Sequence, residues 1–394
     1  MIRQDTGLGP FETELQGFLA GLDCNLMLKP AHVLLRLHRA PLATPMNTVF
    51  GPLHSRPSLV VTVEDADGTR GLGEIWCNFP PAGVDYRHAL ARDILPAVAV
   101  GASFRNPAHA TDELQRRLHT LGLQAGEAGP VAQIVAGLDT ALWDLVARRA
   151  GKPLFAVLGG RADVPVYASS IPPDEPLRLA TAAAERGHTA LKLRVGFGRD
   201  KDLDNLAALR GEFGDAALMV DANQSWTAPQ AVEMAGLMRE HRIDWLEEPL
   251  PADRPFHEWR RVAQEGEVPL AGGENLRRLG DFAVSIARRA VTVVQPDVGK
   301  WGGVSGALIV GRVARSAGLR YCPHWLSGGV GLAASLHVQA GLGGADFVEF
   351  DANPNPLREL LCDPQVKSGR VTLPDLPGLG IDPGLKAIEK FLSN

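Results

Sequence analysis

In the C-terminal two-thirds of this 394-residue chain, ionisable residues stand at or near the ends of seven successive apolar runs: Lys192 and Arg194, Asp221, Glu247, Glu274, Asp297, His324 and Glu349. Counted from Lys192, the steps between them are 29, 26, 27, 23, 27 and 25 residues. Each step is about one strand plus one helix, so these groups recur at one height of a repeating structure. Asp221, Glu247 and Glu274 are three acids on successive units. Converging carboxylates repel and raise one another's pKa unless a cation lies among them, and an all-oxygen donor set with room for water and substrate suits Mg²⁺ better than a soft metal. The competing reading, separate strand-end ion pairs, fits any one acid but not three in register. Asp297 and His324 follow on the next two units. An Asp that accepts from an imidazole fixes its tautomer and makes the other nitrogen the better base, so His324 is a candidate general base. Lys192 and Arg194 lie two apart in ALKLRV (190–195) and, in a strand, face the same side. Two buried cations without partners are costly, so they are expected to face the acids across a shared cavity.

The elements that must position these groups are legible as a pattern. Eight short apolar runs, from VPVYAS (164–169) to DFVEF (346–350), alternate mostly with amphipathic helical stretches such as TAPQAVEMAGLMREH and GVSGALIVGRVARSAG. Strand and helix alternating eight times indicates parallel βα units that close into a barrel, whose C-terminal mouth is where active sites are built. Upstream, AHVLLRLHRAPL (31–42) alternates as a strand, a Pro- and Gly-punctuated loop follows over 41–57, and SLVVTVEDADGTRGLGE (58–74) reads as a hairpin turning at Asp67-Gly68. Helical patterns then run to about residue 150. The organisation predicted is an N-terminal extension over 1–29, an α+β domain over 30–150, the barrel over 151–365, and a turn-rich segment over 366–394 that returns to the α+β domain. The chain is too long for one ordinary core.

Bulk composition narrows the partners. A net charge of −5 with 22% charged residues gives no electrostatic reason to expect nucleic acid or an anionic membrane. Cys24, Cys77, Cys322 and Cys362 are scattered without a C-x-x-C, which fits a reducing compartment. The N-terminal MIRQDTGLGPFETELQ has no apolar signal core, and no run of about 18 apolar residues suggests a membrane span. The cytoplasm is the expected location.

These motifs together resemble the enolase superfamily, in particular its mandelate racemase subgroup. The matching pieces are the K-x-R of LKLRV, VDANQ around Asp221, WLEEP around Glu247, GGEN around Glu274, QPDVGKWGG around Asp297, PHW around His324 and VEFD around Glu349, with GLDTALWDLVARRAGKPLFAVLGG upstream and PGLGIDP in the tail. The resemblance implies a modified (β/α)₇β barrel of TIM type, capped by an α+β domain whose loops close over the mouth. It implies that Asp221, Glu247 and Glu274 hold Mg²⁺, that the ion and Lys192 bind the carboxylate of a small acid substrate, and that Glu349 donates a hydrogen bond to it. It also implies a homo-oligomer.

One position departs from the subgroup. Where many members carry a second Lys as a base opposite the His, this chain has Arg194, whose guanidinium stays protonated. A two-base racemisation loses one base; a reaction needing one base survives. The expectation is therefore dehydration of an acid sugar to a 2-keto-3-deoxy acid. Racemisation or epimerisation with Lys300 as second base is the alternative, although Lys300 also suits a structural partner of the acids. Cycloisomerisation is a weaker choice, and a non-catalytic scaffold would have no physical reason to keep repelling charges together. Substrate selection is expected from loop 41–57, with Asn47 and Thr48, and from loop 75–87, with Trp76, Asn78 and Tyr86.

Overall fold

The computed structural model describes residues 27–48 and 51–393 together with Gly9; the rest of the expected 1–29 extension and the side chains of Asn47 and Thr48 lie outside the described residues. The first layer is an antiparallel sheet in the order β1 (Pro30–Thr48), β2 (Gly51–Asp65), β3 (Arg70–Ile75). The β2–β3 hairpin turns where expected, with Gly68 at φ +83°, a conformation open to glycine at little cost. Segment 41–57, expected as a loop, is almost entirely strand. Its prolines explain both the expectation and the outcome. Pro41 sits at a register break on edge strand β1, and Pro52 and Pro57 lie on a part of β2 that pairs with β1 alone. Proline is tolerated where no neighbour needs its missing N–H.

Three helices cover the sheet: α1 (Gly83–Ala99), α2 (Pro107–Ala125) and α3 (Ala128–Arg149). The sequence places glycine where α3 crosses β3. A Cβ on Gly71 would lie 2.0 Å from the Ala141 carbonyl oxygen, and one on Gly73 would lie 1.9 Å from that of Gly137. By length and composition α3 could cross a membrane, which the sequence reading did not anticipate, but 89% of its apolar stretch is buried inside the molecule. It is a core helix here.

The second layer is the barrel. Strands β4 (Asp163–Ile171), β5 (Ala190–Arg194), β6 (Ala217–Asp221), β7 (Leu246–Glu247), β8 (Leu270–Gly272), β9 (Val293–Val294) and β10 (Arg320–Tyr321) pair in chain order, all parallel, and β11 (Val348–Asp351) pairs with β4. All eight expected runs form strands. Between β10 and β11 the approach is made by the Glu349 amide, which donates to the Pro323 carbonyl at 3.4 Å. Seven helices separate the eight strands, which is the (β/α)₇β arrangement. Inward residues form a dry floor that includes Tyr167, Met219, Trp245 and Cys322, with Tyr167 and Trp245 edge to face at 5.5 Å.

After β11, the hairpin β12 (Val366–Lys367) and β13 (Arg370–Thr372) adds to the lower end of β4. The chain then runs back under the first layer: the Leu379 amide donates to Asp144 Oδ1 at 2.7 Å, and the Ser393 amide to the Leu37 carbonyl at 2.8 Å.

Candidate active site

The alternation of β5 decides its cations. Ala190 points into the barrel floor, so Lys192 and Arg194 point inward above it. Both are buried. Arg194 pairs in register with Asp221, and Asp221 with Glu247, which puts the three side chains at one height. Glu274 lies two residues beyond β8, after Gly273. That glycine has φ +138°, and a Cβ there would press on the Gln295 backbone at 3.1 Å. Asp297 and His324 form a parallel bridge that continues β9 and β10. Every sequence-predicted site residue therefore reaches the C-terminal mouth, but the mouth is organised as two ionic groups.

In the first group Lys192 Nζ lies 2.7 Å from both Glu247 oxygens, 2.9 Å from Glu349 Oε1 and 3.8 Å from Asp221 Oδ2. Burial alone would depress this ammonium; Glu247 and Glu349 instead hold it protonated, well above its ordinary range. Glu247 also accepts from Gln295 Nε2 at 2.7 Å. Burial still lifts its carboxyl, to about 7, with Asp221 and Glu349 pushing the same way against Lys192. Burial likewise raises Asp221, and Glu274 adds to the rise.

In the second group His324 Nδ1 is 2.7 Å from Asp297 Oδ2, and Nε2 is 2.5 Å from Glu274 Oε2. Asp297 is itself fixed by the amides of Gly299 and Lys300, at 2.7 and 3.0 Å. Burial opposes the imidazolium, but Glu274 and Glu349 raise its pKa well above the ordinary value. Lys300 Nζ is 3.3 Å from Glu274 Oε2 and 5.0 Å from the centre of the Trp76 ring. It is thus a partner of the acids. Glu349 accepts from the Trp325 amide at 3.1 Å and from the Ser169 hydroxyl; burial would raise its carboxyl, yet Lys192, His324 and the Ser169 hydroxyl bring it below the ordinary carboxylate range.

A cavity of about 180 Å³ opens between the groups, walled by Arg194, Asp221, Glu274, His324 and Glu349 on the barrel side. The capping domain closes it with Trp76, Asn78 and Phe79. Trp76 and Asn78 were expected there. Tyr86 was expected too, but it is exposed on α1 and does not line the cavity. Among the contributors that were missed, three bear on the acids. Glu248 lines the cavity because a positive φ of 37° turns it from the strand, and Asn275 ties it to Glu274 through Nδ2, at 2.8 and 2.9 Å. Gln295 braces Glu247. The signal for all three was present, since each adjoins or lies within a motif that resembles the family.

Asp221, Glu247 and Glu274 are not gathered on one point. Glu247 is turned onto Lys192 and Glu274 onto His324, and among the described residues no three His, Cys, Asp or Glu side chains form a cage for a metal ion. The donor set nonetheless fits a hard divalent cation. It is all oxygen, it stands at three adjacent strand ends, and burial, with the neighbouring carboxylates adding to it, keeps Asp221 and Glu247 above their ordinary range.

Comparison with known proteins bears on the assignment. Residues 31–159 match the model of the mandelate racemase / muconate lactonizing enzyme N-terminal domain, and residues 176–387 match the enolase C-terminal domain-like model. The chain belongs to the enolase superfamily, among the mandelate racemase-like proteins. It is 30% identical to the D-galactarolactone cycloisomerase of Agrobacterium fabrum, covering 89% of this chain and 95% of that protein. It is 31% identical to the L-talarate/galactarate dehydratase of Salmonella typhimurium, covering 88% and 87%. A crystal structure of a mandelate racemase/muconate lactonizing enzyme from Bordetella bronchiseptica RB50 superposes with a TM-score of 0.87 at 44% identity, covering 92% of this chain and 99% of that one. A racemase from Streptomyces coelicolor A3(2), crystallised with bound magnesium, gives 0.80 at 28%, covering 92% and 100%. Relatives carry names of lyases and of isomerases, so the superfamily membership fixes an enzyme of this kind and leaves the reaction to the site.

Proposed function

We propose that this mandelate racemase-like protein abstracts the α-proton of a small hydroxy-carboxylate with Mg²⁺ as cofactor, and that the reaction is dehydration of an acid sugar. The observation that carries the reading is the Asp297–His324 pair, held at 2.7 Å with His324 lining the cavity, on a chain with Arg194 where many members of the subgroup carry a second lysine. Asp221, Glu247 and Glu274 would hold the ion, which when bound supplies positive charge to the substrate's carboxylate oxygens. Lys192 adds a second cation to the same end. Removing an α-proton concentrates negative charge on those oxygens, so cations fixed there stabilise charge where it develops.

Glu274 favours the imidazolium here, so it is the neutral imidazole, freed of that contact when Glu274 holds the ion, whose Nε2 would take the α-proton. The C–H electron pair becomes a C=C bond of the enediolate. The β C–O bond then breaks, its hydroxide leaving with a proton from the imidazolium as water, and the enol tautomerises to a 2-keto-3-deoxy acid. The dehydratase among the relatives supports this reading. The cycloisomerase supports a second one with the same first step, in which a ring oxygen leaves instead of hydroxide and no water is lost. Racemisation through Lys300 is less favoured, because its ammonium is engaged by Glu274.

The test is incubation with a library of aldonic and aldaric acids, their lactones included, in D₂O with Mg²⁺. Exchange or loss of the α-hydrogen is followed by NMR, and keto-acid is measured in parallel. Keto-acid formation from an open-chain acid, lost in His324→Gln, is the expected result. An enzyme that exchanges no α-hydrogen from any of them does not perform this chemistry.

A further inference from the structure

We infer that the cavity selects a monocarboxylate, an aldonate-type acid with neutral polar groups along its chain, and rejects the corresponding diacid. The inference rests on the reading of the mouth as a site for a carboxylate substrate, and it concerns the other end of that substrate.

The cavity's charge is one-sided. Its cationic lining residues are Arg194, Lys300 and His324, all from the barrel and all matched by acids. Arg194 stands in register with Asp221 and feels Asp351 and Asp221 as its counter-charges, so it belongs to the end where the first carboxylate binds. Lys300 is engaged by Glu274 at 3.3 Å and by the Asn275 side-chain oxygen at 3.4 Å. His324 is committed to Asp297.

Among the described residues, those of the capping domain that line the cavity are neutral. Trp76 and Phe79 lie 6.3 Å apart, centre to centre, and Leu326 of the loop after β10 completes the apolar surface with Asn78 beside it. Two capping-domain cations come near: Arg56, whose charge acts on Arg194 and which is paired with Asp351, and Arg87, which lies over Trp76 and is held by the Gln133 side chain at 2.6 Å and the Gly83 carbonyl at 3.0 Å. The polar lining also includes the neutral Ser170, Asn223 and Gln224, groups that can exchange hydrogen bonds with hydroxyls. At about 180 Å³ the space is below the roughly 300–1,000 Å³ of drug-sized pockets, which suits a short chain. A second carboxylate would be desolvated against Trp76, Phe79 and Leu326, where the neighbouring cations Lys300 and Arg87 are already engaged, and a buried charge without a partner of its own is strongly disfavoured. A relative is named for talarate and galactarate, both diacids, so the preference is inferred for this chain and is not read from the superfamily.

The test uses isothermal titration of the wild-type protein, with and without Mg²⁺, against five- and six-carbon aldonates, each paired with the aldarate of the same configuration at constant ionic strength. The expected result is an aldonate affinity at least about tenfold above that of its aldarate in every pair that binds. Equal or tighter binding of any aldarate overturns the inference, as does failure of every aldonate to bind. Leu326→Arg, placing a cation on the lid, is expected to narrow or invert the preference. If that variant does not fold, the wild-type pairs decide alone. Binding does not require turnover, so selective binding without α-hydrogen exchange would sink the proposed reaction and spare the inference, whereas exchange from aldarates at least as fast as from aldonates would do the reverse.

Discussion

Two regions of this molecule bury carboxylates, and they satisfy them in different ways. At the seam between capping domain and barrel, Glu74 accepts from the Ser58 hydroxyl and from the amides of Gly328 and Gly331, at 2.8, 2.8 and 3.1 Å. Asp139 of α3 accepts from Thr111, from the Ser305 hydroxyl and from the Ser305 amide. Asp144 accepts from the amides of Leu72 and Leu379 and from Arg148 Nε, the last at 2.7 Å. Short, fixed donors complete these shells, and the result is a clasp between layers. At the mouth, Asp221, Glu247, Glu248, Glu274 and Glu349 face one another and depend on movable cations. Burial of an acid is therefore no sign of function by itself. What separates the regions is whether fixed backbone and hydroxyl donors finish the shell or leave it to a charge that can be exchanged for another.

That contrast can be broken or sharpened by mutation. The largest effect is expected at the mouth: His324→Gln should slow α-hydrogen exchange by about 10²–10⁴-fold, the usual share of a general base, with thermal unfolding little changed. At the seam the pattern should reverse. Asp144→Ala leaves Arg148 and two buried amides short of an acceptor and should cost about 3 kcal/mol in denaturant unfolding, with turnover per folded molecule retained. Glu247→Gln should abolish the stabilisation that Mg²⁺ gives, about 2.7 kcal/mol at a hundred times its Kd, as read by thermal shift. A seam variant that also lost the Mg²⁺ shift would erase the distinction.

Smaller effects refine it. Burial lifts Asp139 to about 6 from an ordinary value near 3.8, against the pull of Ser305 and Thr111. Between those values the native carboxyl keeps a proton that the unfolded chain has released, so stability should fall as pH rises from about 4 to about 6. Asp139→Asn should flatten that slope in urea titrations across the window. Smallest of all, Lys300→Met should change α-hydrogen exchange by less than about tenfold, whereas a second catalytic base would cost at least about 10²-fold.

Much of this was written in spacing. The strand-end positions of Lys192, Asp221, Glu247, Glu274, Asp297, His324 and Glu349 follow from a repeat of one strand and one helix, and hydrophobic alternation gave the eight strands. The β1–β2 ribbon was misread because its prolines signal a loop unless one knows that the flanking edge is unpaired. Tyr86 was misplaced because a loop position does not reveal which way a helix start turns its side chain. Glu248 was passed over because in a regular strand it would point opposite to Glu247; only its positive φ turns it to the cavity.

The sequence alone determined which groups stand at the mouth, because a barrel of repeating units converts chain distance into height and strand alternation into direction. It also determined that Arg194 cannot serve as a base, since that is a property of guanidinium in any fold. Tertiary structure decided the pairings: Lys192 with Glu247, His324 with both Asp297 and Glu274, Lys300 with Glu274 over Trp76. It also decided that neutral residues of the capping domain, Trp76, Asn78 and Phe79, face the charged mouth of the barrel. Coulomb attraction and hydrogen bonding act over a few ångströms between residues tens to hundreds of positions apart, and that proximity exists only once the capping domain has been laid across the barrel.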